Sequence, residues 1–348
     1  MSKPVIVVGA GVVGLSCALV LSEKGYKVTV IARNLPTDAL TAEYTSPWAG
    51  AHFRPQPSRS ESDKKEMEMT RITQKYFQKL AVDEPYSSIK FVEGIEYFEN
   101  PDSLIKDLGY GYTEDIEDFK VLDQKDLPEG SVFGTSYKAW TLNSPHYLRY
   151  LYNKLSFRYG VNFVRQSFDS LKDIFENYPK STIINASGRG LQYDGGYDPQ
   201  GFLIRGQTLL VRAPANCPYL EKTITHQSKD GLWTFVIGRP LDGGVILGGT
   251  KQVDISQTTP REEDTQALIA RGKKLYPELF IDGELDIRNI NVGFRPARKG
   301  GVRVEMEKKP EGNIIHAYGC GGMGYELSYG MAQKVFELFQ TIPTTPKL

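Results

Sequence analysis

Three glycines near the N-terminus, Gly9, Gly11 and Gly14, follow a short apolar β-branched run at residues 5–8 and precede a stretch with helical apolar spacing at 16–24. Each has a task in holding a dinucleotide. Gly9 permits a tight turn, Gly11 lets backbone approach a pyrophosphate, and Gly14 allows the helix to pack closely on the sheet. The helix N-terminus then faces the phosphates. Gly9, Ala10, Gly11, Val12, Val13 and Gly14 are therefore candidate cofactor-binding residues. The second strand ends in Ala32-Arg33-Asn34, where an Asp or Glu usually takes the ribose hydroxyls. Arg33 is suited to a phosphate, so on these residues alone a phosphorylated nicotinamide cofactor and a flavin dinucleotide both stay open.

The elements around this motif form a recognisable frame. The first strand, the helix and a second apolar run at 27–31 make a βαβ unit of mononucleotide-binding size. Residues 55–137 change texture, charged at 60–69 and acidic with aromatics at 114–123, and read as an inserted region. The βα texture returns with a predicted helix at 145–159, a strand at 161–164 and a buried strand at 181–186 entering a glycine turn. Repeated β signals at 207–211, 233–237 and 245–247, separated by Gly, Pro and Asp, predict antiparallel sheet. From about residue 289 the pattern predicts two strands, a glycine-rich turn and a helix at 331–339. The fold expected is mixed α/β. A Rossmann-like dinucleotide-binding domain of residues 1–55, 145–200 and 286–348 is interleaved with an antiparallel-β-rich domain of residues 56–144 and 201–285.

Composition narrows the function classes. The chain has 348 residues, 40% apolar and 24% charged, with 42 basic and 42 acidic side chains, so no global field would gather nucleic acid or an anionic membrane. There is no membrane-length apolar run. Cys17, Cys217 and Cys320 lack metal-ligand spacing and a disulfide framework, and no metal site is expected. The N-terminus runs straight into the first strand, without the pattern of a secretory signal. At the other end, Pro346-Lys347-Leu348 resembles the Ser-Lys-Leu address read by the peroxisomal import receptor, with proline in the first slot. The expectation is a peroxisomal protein, otherwise a cytoplasmic one; oligomeric state is open, a homo-oligomer included.

The stretch at 314–332 combines two aliphatics, His316, Ala317, Tyr318-Gly319, Gly321-Gly322, Gly324 and a closing Gly330-x-Ala332. It resembles the signature of the D-amino-acid oxidase and D-aspartate oxidase family. Further segments at 44–51, 204–208, 248–250 and 292–298 are similar to that family and extend the likeness from about residue 4 to about residue 335. The resemblance implies FAD held non-covalently along the first domain, with a D-amino acid between the flavin and the β-rich domain. O2 would be the electron acceptor, and 2-oxo acid, ammonia and hydrogen peroxide the products. It carries cofactor contacts to Thr45, Ser46, Gly50, Ala51, His52, Phe168, Ser187, Gly188, Gly321, Gly322, Met323, Gly324, Tyr325 and Glu326, beside Arg33 and Asn34. Bare N–H groups of the glycine turn would steady charge on the reduced flavin ring.

On the substrate side the resemblance makes Arg295 the carboxylate grip, with Gly322 and Phe235 beside it; Arg298 and Arg303 are expected to be structural. Family members often carry tyrosine where Phe235 stands. No catalytic residue is assigned, because hydride transfer from a neutral amine needs alignment rather than a protein base. Glu326, where relatives often carry Gln or Thr near the flavin pyrimidine, should be protonated or turned aside. His52, Arg54 and Arg239 are candidate cations for a second substrate carboxylate, the alternative being that the arginines are solvated surface charges. A dedicated D-aspartate oxidase, glycine or sarcosine oxidases of the same fold, a non-catalytic flavin-binding redox sensor and an NADP-dependent dehydrogenase are the competing functions.

Overall fold

The structure is a computed structural model and describes residues 4–343, so the terminal tripeptide lies outside the described residues. Two sheets organise the chain. In the first, the strands Arg303–Lys308, Asn313–Tyr318, Thr182–Asn185, Val5–Val8, Val28–Ala32 and Asn162–Arg165 lie in that order. All neighbours are parallel except the edge hairpin of the first two. Val5–Val8 and Thr182–Asn185 are buried along their whole length, which is why the first reads as a continuous apolar run rather than an alternating one. The helix Val12–Glu23 crosses between the first two strands of the chain, buried over most of its surface.

The second sheet has nine strands. Gln252–Val253, Gly201–Val211, Val245–Gly248, Trp233–Gly238, Lys222–Gln227, Lys90–Phe98, Phe133–Thr141 and Lys120–Val121 follow one another, and Ile287–Arg298 pairs along Gly201–Val211. This last strand corrects the expected domain division, which placed residues 286–348 with the first sheet. Its antiparallel register runs from Ile287 opposite Val211 to Arg298 opposite Gly201, so Arg295 hangs from the second sheet. The strand's end then meets the first unit, where the Gly321 N–H donates to the Pro296 carbonyl at 2.8 Å.

Two further expectations change. Three strands, not two, follow residue 286, and the C-terminal helix is Gly324–Gln340, so it begins seven residues before the predicted start. The charged stretch at 60–69 opens a long helix, Glu61–Asp83, capped by Ser60 Oγ accepting the Asp63 N–H at 3.1 Å. Its charged residues hid an apolar face: Met69, Thr73, Phe77 and Leu80 are buried. That face packs on the C-terminal helix so closely that a Cβ at Gly330 would fall 2.1 Å from the Met69 carbonyl. The inserted segment therefore braces the element that opens at Gly324.

Candidate flavin and substrate site

Backbone builds the dinucleotide end. Gly9 has φ +106°, and a Cβ there would lie 2.4 Å from the Ala186 carbonyl oxygen. A Cβ at Gly14 would lie 1.9 Å from the Gly9 carbonyl oxygen, so strand and helix cannot approach this closely with any side chain present. Gly11 caps the first helix in an extended conformation, and the Val12 N–H donates to Ser46 Oγ at 3.1 Å. Tyr44 donates to the Ala10 carbonyl at 2.7 Å and Thr45 to the Phe294 carbonyl at 2.5 Å. The glycine motif and the 44–46 turn are thus one surface.

The C-terminal helix joins it. The Tyr325 hydroxyl donates to the Ser46 carbonyl at 2.9 Å, and a Cβ at Gly324 would sit 3.8 Å from Val12 Cγ1. Two helices therefore begin side by side, each with first-turn N–H groups lacking intrahelical acceptors. Gly321 is in the left-handed region at φ +55° and Gly322 is exposed, ahead of Met323. This arrangement fits a flavin dinucleotide: Gly11 and the N-terminus of the first helix would hold its phosphates, and the glycine turn at 321–324 would offer backbone donors to its ring. Arg33 is exposed and donates to Asn34 at 3.3 Å. Phe168 is half-buried against the apolar cluster containing Ile6 and Ile31. The Ser187 hydroxyl donates to Asn185 at 2.7 Å and accepts the Leu191 N–H at 2.8 Å, so its proton is already committed. Gly188 has φ +75° and packs against Pro296.

Side chains build the substrate side. Arg295 lies flat across Gly206, where a Cβ would come within 2.5 Å of the guanidinium. It donates from Nη1 to the Thr250 carbonyl at 3.1 Å. Desolvation pushes its pKa below the usual arginine value with no acid counteracting it, and among the described residues it has no ion-pair partner. A guanidinium offers five donors, so this one is poised for an anion. A Cβ at the adjacent Gly322 would be 3.9 Å from Arg295 Cδ, placing the arginine along the glycine turn. Phe235 packs on Gly248 and Gly249, its ring centre 6.1 Å from that of His52.

The three proposed cations separate. Arg239 is buried and structural: Nε donates to the Gly50 carbonyl at 2.8 Å, and Nη2 to Ala49 at 2.6 Å and Pro47 at 3.3 Å. It pins the turn leading to Ala51 and is neither a substrate cation nor a solvated surface charge. His52 is no cation either. Thr223 Oγ1 gives its proton to the Val236 carbonyl at 3.0 Å, so the 2.7 Å contact with His52 Nδ1 makes Nδ1–H the donor of a neutral ring. Burial first, then the Arg54 charge, push its pKa down to about 3. Arg54 remains. Its Nη1 pairs with Glu96 at 3.1 Å, and its guanidinium lies 4.0 Å from the Trp233 ring centre. With its side chain 10% exposed, it too is not a solvated surface charge.

Glu326 is 8% exposed, and its Oε2 is buried without a hydrogen-bond partner. Burial raises its pKa to about 8, against the lowering influence of Arg54 and Arg71. That shift favours the protonated form of its carboxyl group. Arg298 and Arg303 are engaged with Asp198 and with Glu305 and Tyr318, as structural residues would be.

Sequence reasoning missed Glu96, Trp233, Thr223 and Lys251, whose ammonium lies 5.9 Å from the Trp233 ring centre. The last follows directly on the Gly248-Gly249-Thr250 segment and was within reach of the sequence; Glu96 was not, because three consecutive buried residues, Gly94, Ile95 and Glu96, break the strand's alternation. Gly206 lies inside a segment already singled out, but its task is visible only with the Arg295 side chain laid over it.

Comparison with known proteins gives one consistent result. The D-aspartate oxidase of Talaromyces thermophilus is 34% identical, covering 97% of this chain and 95% of that protein. The D-amino-acid oxidase of Schizosaccharomyces pombe is 36% identical over 95% of this chain and 94% of that protein. Among solved structures, glycine oxidase from Bacillus cereus superposes with TM-score 0.75 at 17% identity, covering 99% of this chain and 96% of that one, and so shares the fold. The family described as FAD dependent oxidoreductase matches residues 4–338. A chain with these relatives and this match belongs to the D-amino-acid oxidase family of FAD-dependent oxidoreductases.

Proposed function

We propose that this protein is a D-amino-acid oxidase that dehydrogenates its substrate at Cα and releases a 2-oxo acid, ammonia and hydrogen peroxide. FAD supplies the hydride acceptor and, with O2, its own reoxidation. The observation that carries the reading is Arg295: a half-buried cation with no acid partner among the described residues, beside the glycine turn. A substrate carboxylate completes its hydrogen bonding in bidentate fashion and fixes the amino acid's orientation. Phe235 offers an apolar face but no hydroxyl, so the grip rests on Arg295 more than in relatives with tyrosine there. The holoenzyme should be bleached anaerobically by a D-amino acid and not by its L-enantiomer. A yellow protein bleached by neither is a flavin-binding sensor, and one purified without flavin revives a nicotinamide dehydrogenase.

Within this activity we infer a preference for acidic D-amino acids. Arg54 supports it, because only one arm of its guanidinium is paired with Glu96 and Lys251 shares the Trp233 ring with it. Initial rates with D-Asp, D-Glu, D-Ala and D-Met test it, and equal kcat/KM across the four would remove it. Peroxisomal delivery by Pro346-Lys347-Leu348 is a further proposal, tested by fusing the tail to a reporter.

A further inference from the structure

We propose that Glu96 is a positioning residue that sets substrate breadth: by pairing with Arg54 it lets that guanidinium tolerate a neutral substrate side chain and weakens its pull on an acidic one. This role rests on the acidic-substrate reading above, in which Arg54 receives a second carboxylate.

The sheet register puts Glu96 on the face that carries Phe235. Glu96 pairs laterally with Thr225, and Thr225 with Phe235, so the three side chains share one face and Glu96 stands two strands, about 9–10 Å, from Phe235. Their neighbours Ile95, Ile224 and Val236 point the other way, into the core of the second sheet. One row along, Gln227 pairs with Trp233 on the same face as Phe235. Arg54 reaches across that face: its Nη1 donates to Glu96 Oε1 at 3.1 Å while its guanidinium lies 4.0 Å from the Trp233 ring centre. Glu96 is 1% exposed and fully committed. Its Oε1 also accepts from Gln227 at 3.2 Å, and its Oε2 accepts from Tyr112 at 3.4 Å. Arg54 Nε and Nη2 make no hydrogen bond among the described residues. Glu96 therefore acts on a substrate only through Arg54 and through its own charge.

Two opposed effects follow from that ion pair. A neutral side chain such as that of D-Ala brings no charge to Arg54 but sheds water from it, and a desolvated cation without a partner is costly. Glu96 removes that cost, because the guanidinium keeps a carboxylate when water leaves. An acidic side chain supplies its own carboxylate to the free arm, so it gains nothing from Glu96 and is repelled by it. One unit charge at this range in a partly desolvated site changes anion binding on the order of tenfold to a hundredfold. Lys251, whose ammonium lies 5.9 Å from the same Trp233 ring centre, leaves a residual positive field. The site is thus biased toward acidic substrates without being closed to neutral ones. Glutamine at position 96 isolates the charge. Its carbonyl can accept from Arg54 and Gln227, and its amide can face the Tyr112 oxygen, whose proton then goes to Thr135 Oγ1 at 3.1 Å.

The test uses the FAD-loaded protein at one fixed pH and the ratio of kcat/KM for D-Asp to that for D-Ala. In Glu96→Gln the ratio is expected to rise about tenfold or more, through a lower KM for D-Asp and a higher KM for D-Ala, with kcat for each little changed. Glu96→Asp keeps the charge but draws it back from Arg54, and should move the ratio the same way by about threefold. In an Arg54→Ala background the effect of Glu96→Gln should shrink to less than about threefold, because the two residues act as one unit. A rise that persists there in full overturns the proposal, since it would not run through Arg54. If Arg54→Ala lowers the ratio but neither Glu96 variant raises it, the role of Glu96 falls and the acidic reading stands. If Arg54→Ala leaves the ratio unchanged, the acidic reading fails and this role with it. Should Glu96→Gln purify without flavin, Glu96→Asp decides alone, and an unchanged ratio there overturns the proposal.

Discussion

At the first sheet the ligand-facing surface is backbone, closed around glycines that admit no Cβ, whereas at the second sheet it is guanidinium groups, Arg295 from the strand Ile287–Arg298 and Arg54 from the segment after the His52 bridge. The difference lies in tolerance. Gly9 and Gly14 stand within 2.4 Å and 1.9 Å of carbonyl oxygens once a Cβ is added, so the cofactor end accepts one residue type or fails. The substrate end is graded, because Arg295 and Arg54 have separate partners and can be changed one at a time. Breaking the first should cost the cofactor, and breaking the second should cost only selected substrates.

The largest effect is therefore expected at Gly14→Ala, where the clash separates helix from strand. The destabilisation should exceed about 3 kcal/mol, and the protein should purify colourless or not at all. Retention of stoichiometric flavin would show that the backbone end is as forgiving as the side-chain end. Next comes Arg295→Ala, which should keep its flavin spectrum yet lose roughly a thousandfold in kcat/KM for acidic and neutral substrates alike, as expected for removing a charged, bidentate contact. Gly206→Ala should give a milder version, about tenfold to a hundredfold, by lifting the guanidinium off the strand without touching substrate.

That same contrast explains what could be read from sequence. The glycine spacing, the first two strands and the 314–332 stretch were legible because their physical requirements are local: a turn needs glycine at fixed offsets. The placement of Ile287–Arg298 was not, because a strand's sheet is decided by its partner, here Gly201–Val211, some eighty residues away. Arg239, His52 and Arg54 looked alike as cations near one segment. Only the acceptors around them, three carbonyls for Arg239, a threonine for His52 and Glu96 for Arg54, tell them apart, and those come from elsewhere in the chain. The helix start at Gly324 was obscured by its glycines, which lower helix propensity where tertiary packing against Glu61–Asp83 overrides it.

Smaller effects divide the arginines. Arg54→Ala is expected to lower kcat/KM for D-Asp by about tenfold to a hundredfold while changing D-Ala by less than about threefold; equal losses would return Arg54 to a structural role beside Glu96. Arg239→Ala should do the opposite. It removes the donor to the carbonyls of Pro47 and Gly50, while Ala49 keeps the Ser144 hydroxyl, and should lower stability by roughly 2 kcal/mol, read as a lower Tm, with any activity loss shared by all substrates.

The smallest change expected is His52→Gln, which replaces a neutral donor to Thr223 with another neutral donor. Because the imidazole carries no charge to offer a substrate, D-Asp and D-Ala should be affected equally, and by less than about threefold. Its trace should appear instead in acid stability. With the folded-state pKa near 3 against an ordinary 6.5, only the unfolded chain takes up this proton between those values, so the wild type loses stability as pH falls below about 6.5. Glutamine has no proton to take up there. The variant should therefore hold on the order of 1 kcal/mol more stability relative to wild type at pH 5 than at pH 7, measured by urea unfolding at the two pH values. An unchanged difference between them would mean that His52 titrates normally in the folded protein and is available as a cation after all.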